Sequence, residues 1–343
     1  MTRNNSGKAA VLGGGIGGLI AANALIRRGW HVEVFERSPA LPPTGTALGM
    51  WPAALDALAS AGLGGGVERL GVALDRGAIM RSDGRELARF RTRRPAVLLS
   101  RPALLGLLAA GLPDEVLRLG RSAPPLTELA GYDVVIGADG INSPTRDALF
   151  GPEHRPVHAG IAAWRGWVDG TVDTATETWG AGALFGITPR EGGLINWFAA
   201  VRAPAGTTGG VDDLVARFGD WHPAVRDVLN RLDPATVLHH EIHQSPPLPS
   251  YVRGNVALLG DAAHAMTPNL GRGACEAIVD AATLADLLAR FDVPEALGRY
   301  DRARRRTTRF LVRASYAASR VTTAERWTGL RDAVVGLATR RGA

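Results

Sequence analysis

Gly13, Gly15 and Gly18 spell G-x-G-x-x-G directly after the apolar run Lys8–Leu12. The first glycine makes a tight turn, the second lets a pyrophosphate approach bare backbone, and the third permits close helix–strand packing. The free N–H groups and positive end of the following helix favour an anion at that turn. Glu36 stands 23 residues after Gly13, where a carboxylate at a strand end can accept from ribose hydroxyls. Together these residues predict a dinucleotide site, with an ordinary glycine turn as the alternative. They do not separate a nicotinamide dinucleotide from a flavin dinucleotide.

These residues need elements to hold them. Lys8–Leu12 reads as a strand, the helix after the glycines is closed by Gly29, and His31–Phe35 is a second strand ending at Glu36. The stretch Ala9–Ile26 is apolar enough to imitate a signal-peptide core or short membrane span. Its glycines and Asn23 make it too weakly apolar for either, so it reads as the first βα unit. Pro52 and Gly62 bracket a helix over Ala53–Ala61, and Ser100 caps another that runs to Gly111. Asp133–Ile136 is a buried strand, and Ser143-Pro144 opens a further helix.

Residues 156–202 change to alternating β segments carrying Trp164, Trp167, Trp179, Phe185, Trp197 and Phe198, with a turn at Glu191–Gly193. Residues 212–232 are expected to form one amphipathic helix. A strand over Val256–Leu259, a glycine loop and a helix over 273–290 follow, and 295–340 is an arginine-rich helical tail. This order predicts interleaved domains: 1–74, 96–155 and 250–290 for the dinucleotide, 75–95 and 156–249 for a substrate sheet, and 291–343 as terminal helices.

At 343 residues the chain is long enough for two domains, and 46% hydrophobic with 21% charged residues excludes a disordered chain. The net charge is +6, but of 39 basic residues only Lys8 is lysine. That skew is compositional, and neither nucleic acid nor membrane is expected as a partner. A single cysteine, Cys275, excludes an internal disulfide and fits a reducing, cytoplasmic setting. No metal site is expected: His239, His240 and His243 lack an accompanying carboxylate–histidine cluster. No G-x-S-x-G elbow is present. His264 reads as a packed loop residue. Arg302, Arg304, Arg305, Arg306, Arg309 and Arg313 are expected all round a helix, as a solvated face with local acid partners.

Two further segments carry a resemblance. GDAAHAMTPNLGRGACEAIVDA (Gly260–Ala281) and ADGINSPTR (Ala138–Arg146) resemble the second flavin fingerprint and the Asp-Gly motif of the FAD-dependent aromatic hydroxylases, the para-hydroxybenzoate hydroxylase-like group A flavoprotein monooxygenases. ETWG (Glu177–Gly180) and NWFAAVRAPAG (Asn196–Gly206) are similar to short members that hydroxylate or epoxidise small rings. The resemblance implies an α/β chain in which a Rossmann-type FAD-binding domain interleaves with a smaller antiparallel-sheet substrate domain and a helical C-terminal tail. It also implies non-covalent FAD, NAD(P)H as co-substrate without its own Rossmann domain, and O2 used through a flavin C4a-hydroperoxide. The substrate would be a small aromatic or olefinic molecule, and the protein a monomer or homodimer.

The same resemblance assigns residues. Asp261 would accept from a ribitol hydroxyl, and Pro268, Gly271, Gly273 and Ala274 belong to the loop and helix start facing the flavin pyrimidine edge. Pro268 also lines the place of oxygen addition and, with Arg202, is a catalytic candidate. Arg101 would reach the flavin side, and Asp139 would lie near the FAD pyrophosphate. Ile16 and Arg37 complete the expected cofactor set. Arg165, Trp179, Trp197 and Arg202 are the substrate-pocket candidates, an arginine there suiting a phenolate or other anion. Arg272 stands where many relatives have glutamine and is expected to pair with Glu276; Cys275 stands where many have asparagine. Arg101 to Asp139 spans only 38 residues, with Ala123-Pro124-Pro125 in place of a longer meander. A reductase, dehydrogenase or halogenase on the same scaffold is the alternative enzyme. Trp164-Arg165-Gly166-Trp167 does not match the halogenase string W-x-W-x-I-P. A non-enzymatic FAD-binding module is the remaining reading.

Overall fold

The structure, a computed structural model, describes residues 6–340. Its first sheet has six strands, in the order Val252–Arg253, Val256–Leu258, Val134–Gly137, Lys8–Leu12, His31–Glu36 and Leu117–Leu119. All neighbours are parallel except the short hairpin of the first two. Helices cover the sheet, which is why the central strand reads as the unbroken apolar run Ala9–Leu12, fully buried. The Ile16–Ile26 helix packs on the Gly273–Arg290 helix. Asn23, buried, donates from Nδ2 to the carbonyls of Leu19 and Leu108, both at 2.8 Å, tying the first helix to Arg101–Ala110. Ser100 and Ser143 cap their helices as expected, accepting from the Ala103 and Arg146 amides. Despite the shortened segment after Arg101, Leu117–Leu119 pairs with Val34–Glu36 and supplies that edge of the sheet.

The second sheet has eight strands: Leu238–Gln244, Val157–Asp169, Leu194–Arg202, Ala183–Arg190, Ala175–Trp179, Val72–Arg81, Glu86–Ser100 and Ala47–Met50. It is antiparallel except where Ala175–Trp179 meets Val72–Arg81. It therefore draws on more of the N-terminal half than 75–95, since Ala47–Met50 and the flanks of that segment also join it.

Alternation gives this sheet two faces. On the back, Trp164, Phe185 and Trp197 pack against Phe218, Trp221, Val225 and Val228. Phe218, Val225 and Val228 come from two short helices, Val211–Phe218 and Pro223–Leu229, with Trp221 in the turn between them, and not from the single helix expected over 212–232. Pro223 lacks an N–H to continue the first helix and suits the opening turn of a second. The front face carries Arg165, Phe198, Ala200 and Arg202; Tyr316 and Val335 of the C-terminal helices pack on part of it, and the Ala47 amide of the edge strand reaches Asn196 Oδ1 on it at 2.9 Å.

The tail is two helices, Val293–Thr322 and Thr328–Arg340, interrupted before Thr328. Trp327 has φ +61°, the one non-glycine residue in that region among those described. No helix among the described residues is long and apolar enough to cross a membrane.

Candidate functional site

The three glycines of the first bend meet different surroundings. Gly13 has φ +113°, and a Cβ on it would lie 2.4 Å from the Ala138 carbonyl oxygen. A Cβ on Gly18 would lie 2.0 Å from the Gly13 oxygen. A Cβ on Gly15 would meet nothing within 4 Å, and no side chain caps the helix there. Two glycines are thus required by the packing. The third leaves bare backbone facing open space at a helix N-terminus, which fits a phosphate. Glu36 is fixed at its strand end: its carboxylate accepts from the Gly14 amide at 2.7 Å and the Ser38 amide at 2.8 Å. Ile16 opens the helix, and Arg37 is exposed beside Glu36.

The second bend arrives at the same place. A Cβ on Gly17 would lie 2.5 Å from Leu259 and 3.5 Å from Ala277, so the two helix starts are in contact. Gly260 and Gly271 both have φ +59°, which side chains rarely tolerate. Gly273 faces open space and its helix, too, has no side-chain cap. Pro268–Leu270 forms one 3-10 turn before it, with Pro268 exposed. The Trp51 indole donates to the Gly271 carbonyl at 3.1 Å, and Cys275 Sγ–H to the Gly49 carbonyl at 3.0 Å, which fastens this bend to the second sheet's edge strand. Arg272, between Gly271 and Gly273, pairs with Glu276 at 2.5 Å as expected, and Ala274 follows in the first turn of the helix.

Behind the second bend lies a closed ionic cluster. Asp280 is fully buried; it accepts from the Gly260 amide at 2.9 Å and from Arg304 Nε at 2.6 Å, and is hydrogen-bonded to His264 Nε2 at 2.6 Å. Arg304 also reaches Glu276. Burial by itself would raise the Asp280 carboxyl, but His264 and Arg304 outweigh it and hold it at about 2. For His264, burial would lower the imidazole and Asp280 raises it above its ordinary value. His264 is packed, as expected, but with a charge partner. The arginine-rich helix is corrected here: Arg304 is buried in this cluster and not solvated, because its acid partners lie on another helix.

Asp139 accepts from Ser143 Oγ at 2.5 Å and the Thr145 amide at 2.9 Å, so its carboxylate also caps the start of the Pro144–Phe150 helix, each oxygen keeping a lone pair for a further donor.

Across from the bends, Arg165 faces forward beside Phe198. Its Nε is buried without a hydrogen-bond partner, and burial together with the nearby Arg101 charge pushes its guanidinium down. His240, in the next row of the sheet, is lowered by burial and by the charges of Arg165, His239 and Arg101. Solvent reaches Asp261, yet the protein enclosing it raises its carboxyl against the pull of His264 and Arg101. The Arg101 charge is thus felt by Asp261 beside the second bend and by Arg165 and His240 on the sheet.

Arg202 lies further along the same face. It lines a cavity of about 350 Å³ with Ile161, Ala203, Ser319, Arg320 and Thr323. The Pro268 turn is joined to this end by Asn269, whose Nδ2 donates to Thr322 Oγ1 at 2.9 Å. Trp179 is on the front face but covered by Arg331, 5.4 Å above its ring. Trp197 is not at the cleft at all: it is fully buried on the back, stacked on Phe185 at 5.8 Å. A strand's alternation assigns its side chains to two faces without saying which face meets the other domain.

Three front-face residues escaped the sequence reading. Glu177 accepts from Trp179 Nε1 at 2.6 Å, and burial raises its carboxyl. Arg190 lies 4.5 Å over the Trp167 ring, with Nε and Nη1 buried without hydrogen bonds and Nε 3.9 Å from Glu191; burial lowers it against the pull of that carboxylate. His240 is the third; its place on the cleft wall follows only from the pairing of its strand. The histidines hold no metal set: His239 packs on Trp164 and His243 on His158, and no metal-binding group occurs among the described residues.

Comparison with known proteins agrees with this geometry. A family model described as "FAD binding domain" matches residues 219–315. The chain is 33% identical to the aurachin C monooxygenase/isomerase of Stigmatella aurantiaca, covering 91% of this chain and 88% of the relative. It is 34% identical to the FAD-dependent urate hydroxylase of Klebsiella oxytoca, covering 89% and 88%. The crystal structure of Klebsiella pneumoniae HpxO complexed with FAD and uric acid superposes with TM-score 0.89 at 29% identity, over 98% of this chain and 94% of that one. The chain belongs to the FAD-binding aromatic hydroxylase family, the group A flavoprotein monooxygenases.

Proposed function

We propose that this protein uses NAD(P)H and O2 to hydroxylate or epoxidise a small aromatic or olefinic substrate carrying an anionic or phenolate group. The observation behind this reading is the pair of open, glycine-bearing helix starts facing a sheet whose Arg165 is desolvated and unpaired. Bound FAD supplies the redox chemistry, accepting hydride from NAD(P)H and delivering one oxygen atom of O2 to substrate. The chain's own work is placement and electrostatics. The Gly15 backbone and the start of the Ile16–Ile26 helix hold the pyrophosphate, and Glu36 accepts from the ribose. Asp261 holds the ribitol chain, and Arg101 approaches from the other wall. The Gly273 helix start offers N–H groups and a positive dipole end to negative charge on the flavin pyrimidine edge. Pro268 borders the reaction space, Arg165 and Arg202 orient the anion, and the apolar front of the sheet excludes water.

Purified protein tests this directly. The expected preparation is yellow with FAD, and a panel of small aromatic and olefinic acids contains a compound that drives NAD(P)H oxidation with matching oxygenated product and little peroxide. A preparation that added FAD cannot colour, or NAD(P)H oxidation that yields peroxide alone across the panel, overturns the reading.

A further inference from the structure

We propose that the outer face of the two C-terminal helices docks the protein on an anionic lipid bilayer. Positions 302, 306, 310, 313, 317 and 320 of the Val293–Thr322 helix are spaced by three and four. At 3.6 residues per turn they fall within about 80° of one another, on one face. All are exposed, and this face carries Arg302, Arg306, Arg313 and Arg320 around Phe310, itself 69% exposed. None of these arginines forms an ion pair among the described residues, in contrast to Arg304 and Arg305, which turn inward to acids. The arginines are thus sorted by face, and are not spread round the helix with acid partners nearby.

The second helix, which packs on the Glu86–Ser100 strand, presents apolar groups of its own to solvent. Its inward residue Val335 packs towards the second sheet. Its outward residues Leu330, Val334 and Leu337 are each more than half exposed. Their spacing of four and three makes one stripe, where a helix facing only water would carry charges. Trp327, just before it, is 80% exposed and held in left-handed backbone that a bulky residue rarely adopts. Exposed arginines around Phe310 on one helix, with exposed tryptophan and an apolar stripe on the helix that follows, match the interfacial region of a bilayer, where phosphates meet the first methylenes. A second copy of this chain is a poorer occupant. A two-fold contact through this face would set Arg306, Arg313 and Arg320 against their own copies. Arg320 also lines the Arg202 cavity, so docking brings the mouth of that cavity to the level of the lipid.

The test is co-flotation of the full FAD-loaded chain with phosphatidylcholine vesicles, with and without added phosphatidylglycerol. The protein is expected to float with the anionic vesicles only, and to be released at about 1 M salt, where screening acts within ~3 Å. Arg306→Gln and Arg313→Gln are each expected to lower the partition coefficient about fivefold, from ~1 kcal/mol per basic residue near an anionic surface. Trp327→Ser with Leu330→Ser should release the protein from vesicles without altering flavin absorbance or thermal unfolding. Failure to float, binding indifferent to lipid charge or to these substitutions, or a dimer in solution that Leu330→Ser dissociates would overturn the proposal. The readout is lipid binding and not turnover, so it stands or falls separately from the oxygenase reading.

Discussion

Two groups of low-exposure charges lie on opposite sides of the cleft, and they are wired differently. Behind the second glycine bend, Asp280, Glu276, Arg272 and Arg304 satisfy one another, and His264 joins them through Nε2 while its buried Nδ1 has no hydrogen-bond partner. On the sheet opposite, Arg165 keeps a buried Nε without a partner, Arg190 makes no hydrogen bond from Nε or Nη1 and has only a long 3.9 Å approach to Glu191, and Glu177 has one donor, the indole of Trp179. Desolvating a charge is costly unless a partner answers it. The closed group spends its charges on holding a loop in shape. The open group keeps them available, which is what a site for a charged ligand requires.

The largest expected effect is in the closed group. Arg304→Met strips Asp280 and Glu276 of a shared cation and should cost about 3–5 kcal/mol in chemical denaturation. A loss below ~1 kcal/mol would show that the cluster does not hold the loop and would remove the contrast.

Arg165→Met should behave oppositely. Stability stays level or rises, because an unanswered charge is gone, while KM for the coupled substrate rises at least ~10-fold, as expected for losing a charged hydrogen bond of about 1.5–3 kcal/mol. A destabilised variant with unchanged KM would place Arg165 among the structural charges.

The glycines of the first bend repeat the contrast on a smaller scale. Gly18→Ala forces a methyl against the Gly13 carbonyl and should lower stability by about 1–3 kcal/mol. Gly15→Ala has room, so its unfolding should be unchanged while FAD dissociates more readily in fluorescence titration. Equal effects on folding would mean that Gly15 faces packing and not ligand.

The smallest effect is in the pH dependence, where the two groups differ in sign. Asp280, held at about 2 from 3.8, contributes stability that is complete above pH ~4 and is lost as pH falls towards 2. Glu177 is raised, so its charged form works against the fold, and stability rises as pH falls through its range. Glu177→Gln should flatten that weakly acidic rise in thermal melts and leave the strongly acidic loss in place. A variant that instead removes the acidic loss would transfer that limb to Glu177.

The cofactor side was the legible side. Its glycines, caps and strand ends are local devices, each needing only neighbours in sequence, so Gly13, Glu36, Ser100 and Ser143 fall where expected. The substrate side depends on pairings between distant strands. Alternation puts Trp164 and Trp167 on opposite faces of one strand but does not relate them to Trp179 and Trp197, both expected in the pocket, which the strand pairing puts on opposite faces. The stop at Pro223 was visible as a residue but outweighed by the apolar period across it. Arg304 looked like its neighbours because Asp280, which decides its burial, is 24 positions away on another helix.

The central position of Val134–Gly137 has a consequence for biosynthesis. It is flanked by Lys8–Leu12 on one side and Val256–Leu258 on the other. A ribosome must release three quarters of the polypeptide before that neighbour exists, and until then an apolar strand edge stays uncovered. The nascent chain therefore cannot close this sheet until Val256–Leu258 has been made, which lengthens the time that edge spends exposed.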